Sequence, residues 1–156
     1  MKSDSLFRHI FVPFAIALLA YIVFYTVIEH RRTVKGPWRV TFTSDASHEA
    51  ALSIDQPMLG ITNVGVIFKD QTLATNFSGK VLTFEQPMPV PYDVPFGKCI
   101  FMDTTFLPGT LVLEAFSHEV QLLPRTLLID RKEQGWHSDA TILISGTNVV
   151  RNAPMN

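Results

Sequence analysis

Ile10–Ile28 reads IFVPFAIALLAYIVFYTVI, a run of 19 residues without a charged side chain. A helix rises about 1.5 Å per residue, so a run of this length spans roughly 28 Å, close to the hydrocarbon thickness of a bilayer. The run therefore predicts one transmembrane helix over residues 10–28, preceded by a short amino-terminal tail of residues 1–9. Pro13 falls in the first turn, where its missing N–H group removes little.

Two other interpretations of the apolar run fit less well. A cleaved signal peptide has an apolar stretch of about 7–15 residues and a small-x-small cleavage site. This run is longer and ends in the sequence Glu29-His30-Arg31-Arg32. A buried helix of a soluble protein normally has a polar stripe, whereas the polar side chains here are only Tyr21, Tyr25 and Thr26. We therefore expect a retained membrane anchor.

The side chains of the run suit contact with lipid or with a larger assembly. The absence of a charged group argues against an ion or proton path, and no glycine pair of the small-xxx-small type favours a helix dimer. Large aromatic rings suit lipid, or flat pigments and quinones held by a partner complex. The rings expected in the anchor and its interfaces are Phe11, Phe14, Tyr21, Phe24 and Tyr25.

A basic segment follows the run, and residues 29–37 are interpreted as a juxtamembrane linker. Its cations either bind anionic lipid headgroups or only set the topology of the helix. Four Lys or Arg follow the helix and two precede it, which favours a cytoplasmic domain at a bacterial inner membrane. An uncleaved signal anchor with a periplasmic domain remains the alternative. The residues expected in the interface layer are Arg31, Arg32, Lys35 and Trp38.

The composition limits the classes of function. Residues 40–156 carry seven Lys or Arg and twelve Asp or Glu, and an acidic domain is not expected to bind nucleic acid. The chain has one cysteine, Cys99, so it cannot form an intramolecular disulfide. The hydrophobic core alone must therefore hold the domain together.

Short alternating runs characterise residues 38–156. In Trp38–Thr43 the apolar residues occupy alternate positions and so share one face of a strand. Eight to nine runs of this kind are separated by turn signals such as Leu107-Pro108-Gly109, and no sustained helical period occurs after residue 35. The pattern predicts an all-β domain, either an antiparallel β-sandwich or a small open barrel of about eight to nine strands.

Pro87–Pro95 contains four prolines in nine residues, which excludes a central strand and favours an extended path. The segment is interpreted either as a stiff crossover between two sheets or as a docking strap for a partner. In the second case Pro89, Pro91 and Tyr92 are candidate partner contacts.

Arg125 interrupts an apolar stretch, Leu122–Ile129. An arginine can pair bidentately with a carboxylate and lie on apolar surface, so Arg125 is a further candidate partner contact. The alternative is a surface arginine whose stem covers an edge strand next to Pro124.

No catalytic motif has the spacing that its chemistry needs. His118-Glu119 would require a second histidine at position 122 to form an H-E-x-x-H zinc site, and that residue is Leu122. Nucleophile elbows and glycine-rich phosphate loops are absent. The ligand types of a copper site are present, but no histidine follows the cysteine for 18 residues; they are Cys99, Met102, His118 and His137. We therefore expect no enzymatic activity, no cofactor and no bound metal.

These observations predict a non-catalytic, single-pass accessory subunit that stabilises a larger membrane complex, either respiratory or photosynthetic. Its expected partners are integral membrane subunits and the lipid bilayer. The alternative is a stand-alone, membrane-tethered β-sandwich that binds a small ligand or a peptide.

Overall fold

The computed structural model of the protein describes residues 4–74, 76–146 and 148–152. The chain divides into two compact units, Met1–Val34 and Lys35–Asn156. The first unit is helical and the second is built from β-strands.

The first unit contains one helix, α1 (Asp4–Thr33). Its segment Arg8–Thr33 is long and apolar enough to cross a membrane. The helix extends beyond the predicted residues 10–28 at both ends. Basic side chains in its last turn interact favourably with the helix dipole, and the Nε atom of Arg32 lies 3.5 Å from the Oε1 atom of Glu29. Most of the predicted linker is therefore helical.

The second unit contains twelve strands among its described residues. In chain order they are β1 (Trp38–Ser44), β2 (Glu49–Gln56), β3 (Ile61–Thr72), β4 (Lys80–Phe84), β5 (Tyr92–Val94), β6 (Gly97–Asp103), β7 (Thr110–Ala115), β8 (His118–Leu122), β9 (Thr126–Ile129), β10 (Lys132–Gly135), β11 (Thr141–Ser145) and β12 (Asn148–Asn152). A short 3₁₀ turn, Pro57–Leu59, lies between β2 and β3.

The strands form two sheets, which confirms the β-sandwich. The first sheet has the order β12-β11-β3-β2-β1-β4, and the second is a meander with the order β10-β9-β8-β7-β6-β5. Strands β4 and β5 lie at the edges of different sheets. The proline-rich segment Pro87–Pro95 therefore contains the connection that crosses from one sheet to the other.

Two details of the predicted sandwich are wrong. The sheets are not purely antiparallel, because β3 and β11 pair in parallel; parallel neighbours need a long connection, and here the whole second sheet lies between them in the sequence. The expected eight to nine strands omit β5, β10 and β12. Strand β10 has no strand signal in the sequence, because an exposed edge strand such as Lys132–Gly135 has no apolar alternation.

The core lies between the two sheets and contains side chains from both of them. Val40 on β1 and Leu113 on β7 are both buried in the same cluster. Aromatic rings also meet in this core, with centroid distances of 5.3 Å for Trp38–Trp136 and 5.5 Å for Phe42–Phe96. Alternation of apolar residues along the strands thus gives each sheet one buried face.

Trp38 was expected at the membrane interface, and this assignment is wrong. Its side chain is 0% exposed, and its indole Nε1 donates a hydrogen bond to the carbonyl oxygen of Gly109 at 3.1 Å. The inward-facing register of β1 and this buried partner place the ring in the core. A buried tryptophan that finds an acceptor for its N–H group is a stable arrangement.

Candidate functional site

The α1 side chains predicted to anchor the protein are exposed. Phe14, Tyr21, Phe24 and Tyr25 all present more than half of their surface, and the rings of Tyr21 and Tyr25 stack with a centroid distance of 6.2 Å. Thr26, the polar residue that follows Tyr25, donates its hydroxyl hydrogen to backbone carbonyls within the helix. The exposed side chains of the helix are therefore mainly apolar, as contact with a bilayer or a partner helix requires.

The β-domain begins with a segment held by a buried glutamine. Gln56, at the end of β2, is 1% exposed. Its Nε2 group donates to the carbonyl oxygens of Lys35, Gly36 and Pro37 at 2.8, 2.8 and 3.1 Å, and its Oε1 accepts from the N–H group of Met58 at 3.0 Å. We call this set of contacts the Gln56 clasp. Sequence patterns do not reveal it, because the three carbonyl partners lie 19 to 21 residues away from Gln56.

A cleft of about 420 Å³ opens beside the Gln56 clasp. We call it the exit cleft, because its first residue follows the end of α1 by two positions. Its functional side chains are Lys35, Arg39, Asp55, Met58 and Thr83. Lys35 is one of the predicted interface residues, and Arg39 is one of the four Lys or Arg that follow the apolar run.

The two cations of the exit cleft have no acidic partner within the described part of the chain. Arg39 is paired in register with Asp55 across β1 and β2. The Oδ1 atom of Asp55 instead accepts a hydrogen bond from the backbone N–H group of Asn63 at 2.8 Å, and no ion pair forms between Arg39 and a described carboxylate. Lys35 is likewise without an ion pair among these residues.

A second depression, of about 210 Å³, lies where the edge strands of the two sheets come together. We call it the edge groove; its apolar lining is contributed by Leu82, Phe84, Met88, Tyr92 and Met102. Met88 and its neighbour Val90 on the proline-rich segment are 51% and 39% exposed. Pro89 and Pro91 are also exposed, so the candidate contacts of this segment are accessible.

Tyr92 has a different setting from its two proline neighbours. It is half-buried and pairs in register with Cys99 on β6. Burial and a hydrogen bond with the Cys99 thiol raise the pKa of its phenol above the ordinary value. Tyr92 therefore forms a wall of the edge groove and stays neutral there.

Arg125 lies at the tip of the hairpin between β8 and β9 and is exposed. The backbone groups of Leu123 and Thr126 exchange hydrogen bonds of 3.1 and 3.2 Å around it. Because β6 and β7 separate β8 from β5 in the sheet, about 14 Å of sheet separates this hairpin from the edge groove. The structure does not bring Arg125 together with the proline-rich contacts.

Sequence patterns also missed a histidine–aspartate pair. The Nδ1 atom of His118 lies 2.7 Å from the Oδ2 atom of Asp130, and the Oδ1 atom of Asp130 accepts from the N–H group of Glu119 at 2.9 Å. A carboxylate that orients a histidine is also found in catalytic sites. Here the ring lies against Phe68, with a centroid distance of 6.1 Å, and the pair joins the start of β8 to the turn that follows β9. His118 begins strand β8, which agrees with rejection of the zinc-helix motif.

The residues considered for copper do not form a metal site. Cys99 is buried and its Sγ atom lies 3.5 Å from the carbonyl oxygen of Phe101; burial raises the pKa of the thiol. His118 is engaged by Asp130. Over residues 4–74, 76–146 and 148–152, no group of three or more His, Cys, Asp or Glu side chains is arranged to hold a metal ion.

The chain was compared with protein-family models, with curated proteins and with solved structures, and no match was found. Within the part of the chain that the structure describes, the apolar helix, the exit cleft and the edge groove with the proline-rich segment are surfaces suited to binding.

Proposed function

We propose that the protein is a non-catalytic, single-pass accessory subunit whose β-sandwich stabilises a larger membrane complex. The observation that carries this proposal is the exposed apolar segment around Met88 and Val90, beside the edge groove. Apolar side chains that lie together on a surface, next to an apolar depression, are typical of protein interaction sites.

The proline-rich segment suits binding because it is stiff before a partner arrives. Prolines fix the backbone dihedral φ and hold the chain extended, so docking costs little additional conformational entropy. Strand β4 adds a second means of recognition. It is an edge strand of the first sheet, and its unpaired backbone groups allow a partner segment to add as a further strand.

The anchor limits the choice of partner to proteins at the membrane. Val34 is the one residue between the end of α1 and Lys35, where the Gln56 clasp begins. A domain tethered this closely meets membrane-bound proteins at a high effective concentration. The exposed aromatic surface of α1 adds a contact area for integral subunits, or for pigments and quinones that those subunits hold.

Two finer parts of the proposal concern the complex and the side of the membrane. A respiratory or photosynthetic complex is the kind we propose, at a bacterial inner membrane. The excess of Lys and Arg after the helix favours the cytoplasmic side for the β-domain.

A second candidate function is that of a stand-alone, tethered module that binds a peptide. The edge groove favours a peptide over a small molecule, because its volume of about 210 Å³ is below the roughly 300–1,000 Å³ of most small-molecule sites. An unpaired edge strand beside the groove also suits an extended chain.

Site-specific photo-crosslinking in the cells that make the protein separates the two functions. A photoreactive phenylalanine analogue replaces Val90 beside the edge groove, and in a control protein it replaces the exposed Glu133 on β10, the edge strand farthest from β5 in the second sheet. The proposal expects Val90 to crosslink to an integral membrane protein and Glu133 to give no such product. A crosslink from Val90 only to a short soluble peptide supports the stand-alone module and contradicts the subunit role.

A further inference from the structure

We propose that the exit cleft binds the phosphodiester group of an anionic lipid headgroup from the membrane that holds α1. The inference rests on the anchor part of the proposed function and adds to it a ligand and a binding site. The phosphate group is the chemistry that the cleft recognises. Four features of the cleft support a lipid as its source.

The first feature is an excess of positive charge, with no described carboxylate in an ion pair with either cation. Lys35 and Arg39 contribute two cations to the cleft, and Asp55 contributes one carboxylate. That carboxylate accepts a hydrogen bond from the N–H group of Asn63 and forms no ion pair with Arg39, so these three side chains leave the cleft with an excess of one positive charge. A guanidinium fork binds two phosphate oxygens at once, and an ammonium group adds a point charge.

The second feature is the fixed backbone around Lys35. The carbonyl oxygens of Lys35, Gly36 and Pro37 all accept from Nε2 of Gln56. A carbonyl that is hydrogen-bonded to a donor repels a nearby anion less than a free one. The Gln56 clasp also holds the position of the Lys35 backbone, so a bound phosphate need order only the side chain.

The third feature is the distance along the chain from the apolar run. Residues 29–33 continue α1 for five residues after Ile28, a rise of about 7.5 Å. The headgroup layer of each leaflet is roughly 5–8 Å thick. Lys35 follows the last helical residue by two positions, which adds at most about 7 Å of extended chain. The cleft therefore begins within chain reach of the phosphate layer.

The fourth feature distinguishes a lipid from a free phosphate ion. Met58, on the 3₁₀ turn at the rim of the cleft, is 67% exposed. A flexible apolar side chain next to two cations suits the glycerol and upper acyl carbons that accompany a lipid phosphate. Inorganic phosphate has no apolar group that this side chain could contact. The hydroxyl group of Thr83, on strand β4 next to β1 in the same sheet, adds a donor for the phosphate.

The methionines give a direct readout of this site in the full-length chain. The protein has five methionines; Met58 lies in the exit cleft and Met88 in the edge groove. The full chain, labelled with ¹³C-methyl methionine in an uncharged detergent, is titrated with dihexanoyl-phosphatidylglycerol, dihexanoyl-phosphatidylcholine and inorganic phosphate in separate experiments. The expected result is a saturable shift of the Met58 methyl signal with phosphatidylglycerol, while the Met88 signal stays in place.

Two matched arginine variants show whether the cation of the cleft is responsible. Arg39→Gln should weaken phosphatidylglycerol binding about fivefold, since one Lys or Arg near a membrane surface contributes about this factor. Arg131→Gln removes an exposed arginine from the turn between β9 and β10, at the end of β9 away from the β8–β9 hairpin, and should leave binding unchanged. Lys35→Gln is a second cleft variant and should weaken binding as Arg39→Gln does.

Three results would overturn the headgroup site. Phosphatidylcholine could shift Met58 as strongly as phosphatidylglycerol, inorganic phosphate could saturate the shift at equal or lower concentration, or the Arg39 and Arg131 variants could bind alike. Failure of the proposed function would be seen in a separate experiment. If alkaline carbonate releases the protein from membranes, α1 does not anchor it as a transmembrane helix. An inserted protein that crosslinks to its partner but binds no phosphatidylglycerol loses only the headgroup site.

Discussion

Replacing Gln56 with leucine tests whether the Gln56 clasp holds the start of the β-domain in place. Leucine has a similar volume, but it leaves the Met58 N–H group and three carbonyl oxygens without their partner. A buried polar group that loses its partner costs about 1–3 kcal/mol. The carbonyl oxygens near the exit cleft can recover water, so we expect a total loss of about 2–5 kcal/mol in the free energy of unfolding.

The two tryptophans make this loss measurable in the full-length chain. Trp38 and Trp136 lie in the β-domain with their rings 5.3 Å apart, and α1 contains no tryptophan. Their fluorescence during urea unfolding in detergent therefore reports on the β-domain alone. The matched control is Gln86→Leu, because Gln86 begins the same Gln-Pro-Met tripeptide at an exposed position.

The exposed glutamine gives the reference value for a glutamine-to-leucine change without a buried partner. We expect Gln86→Leu to change the free energy of unfolding by less than about 0.5 kcal/mol, as surface substitutions usually do. If Gln56→Leu is no more destabilising than Gln86→Leu, the clasp does not stabilise the domain. Gln56→Glu adds a second criterion. A buried carboxylate among three carbonyl oxygens should have a raised pKa, so this variant should be more stable at pH 4 than at pH 7, relative to the wild-type protein.

Three further predictions follow from other side chains. Cys99 is buried and its thiol is kept neutral by burial, so Ellman's reagent should react with it only after urea unfolding; fast reaction of the folded protein contradicts this. Asp130→Ala removes the acceptor for the Glu119 N–H group and puts alanine at a φ of 48°, which should lower the free energy of unfolding by about 2–4 kcal/mol. Asp130→Asn should lower it less, because asparagine tolerates that φ. Equal losses for the two variants would contradict this prediction. Arg125→Cys should react with a membrane-impermeant maleimide in inverted inner-membrane vesicles but not in intact spheroplasts, if the β-domain is cytoplasmic; the reverse pattern places it in the periplasm.

The sequence predicted the features that depend on local pattern. The uncharged run is visible because a bilayer selects apolar side chains over nearly twenty consecutive positions. Strands such as β1 and β7 were predicted because one face of each is buried and the other is not. Strand β10 was missed because both of its faces are mostly exposed, and no alternation results.

Features that depend on distant residues could not be predicted. The parallel pairing of β3 with β11 joins segments about seventy residues apart. The burial of Trp38 depends on an acceptor at Gly109, and the two cations of the exit cleft become a site only when β1, β2 and β4 are side by side. A tryptophan next to a membrane segment resembles an interface residue until its partners are known.

Purification from the native membrane tests the subunit role most directly. The full chain with an affinity tag is extracted in a mild detergent such as digitonin, and its mass and co-purifying proteins are measured. We expect an assembly much larger than the 17.5 kDa chain, with integral membrane subunits in fixed stoichiometry. Stable, monodisperse protein with no co-purifying subunit would contradict it.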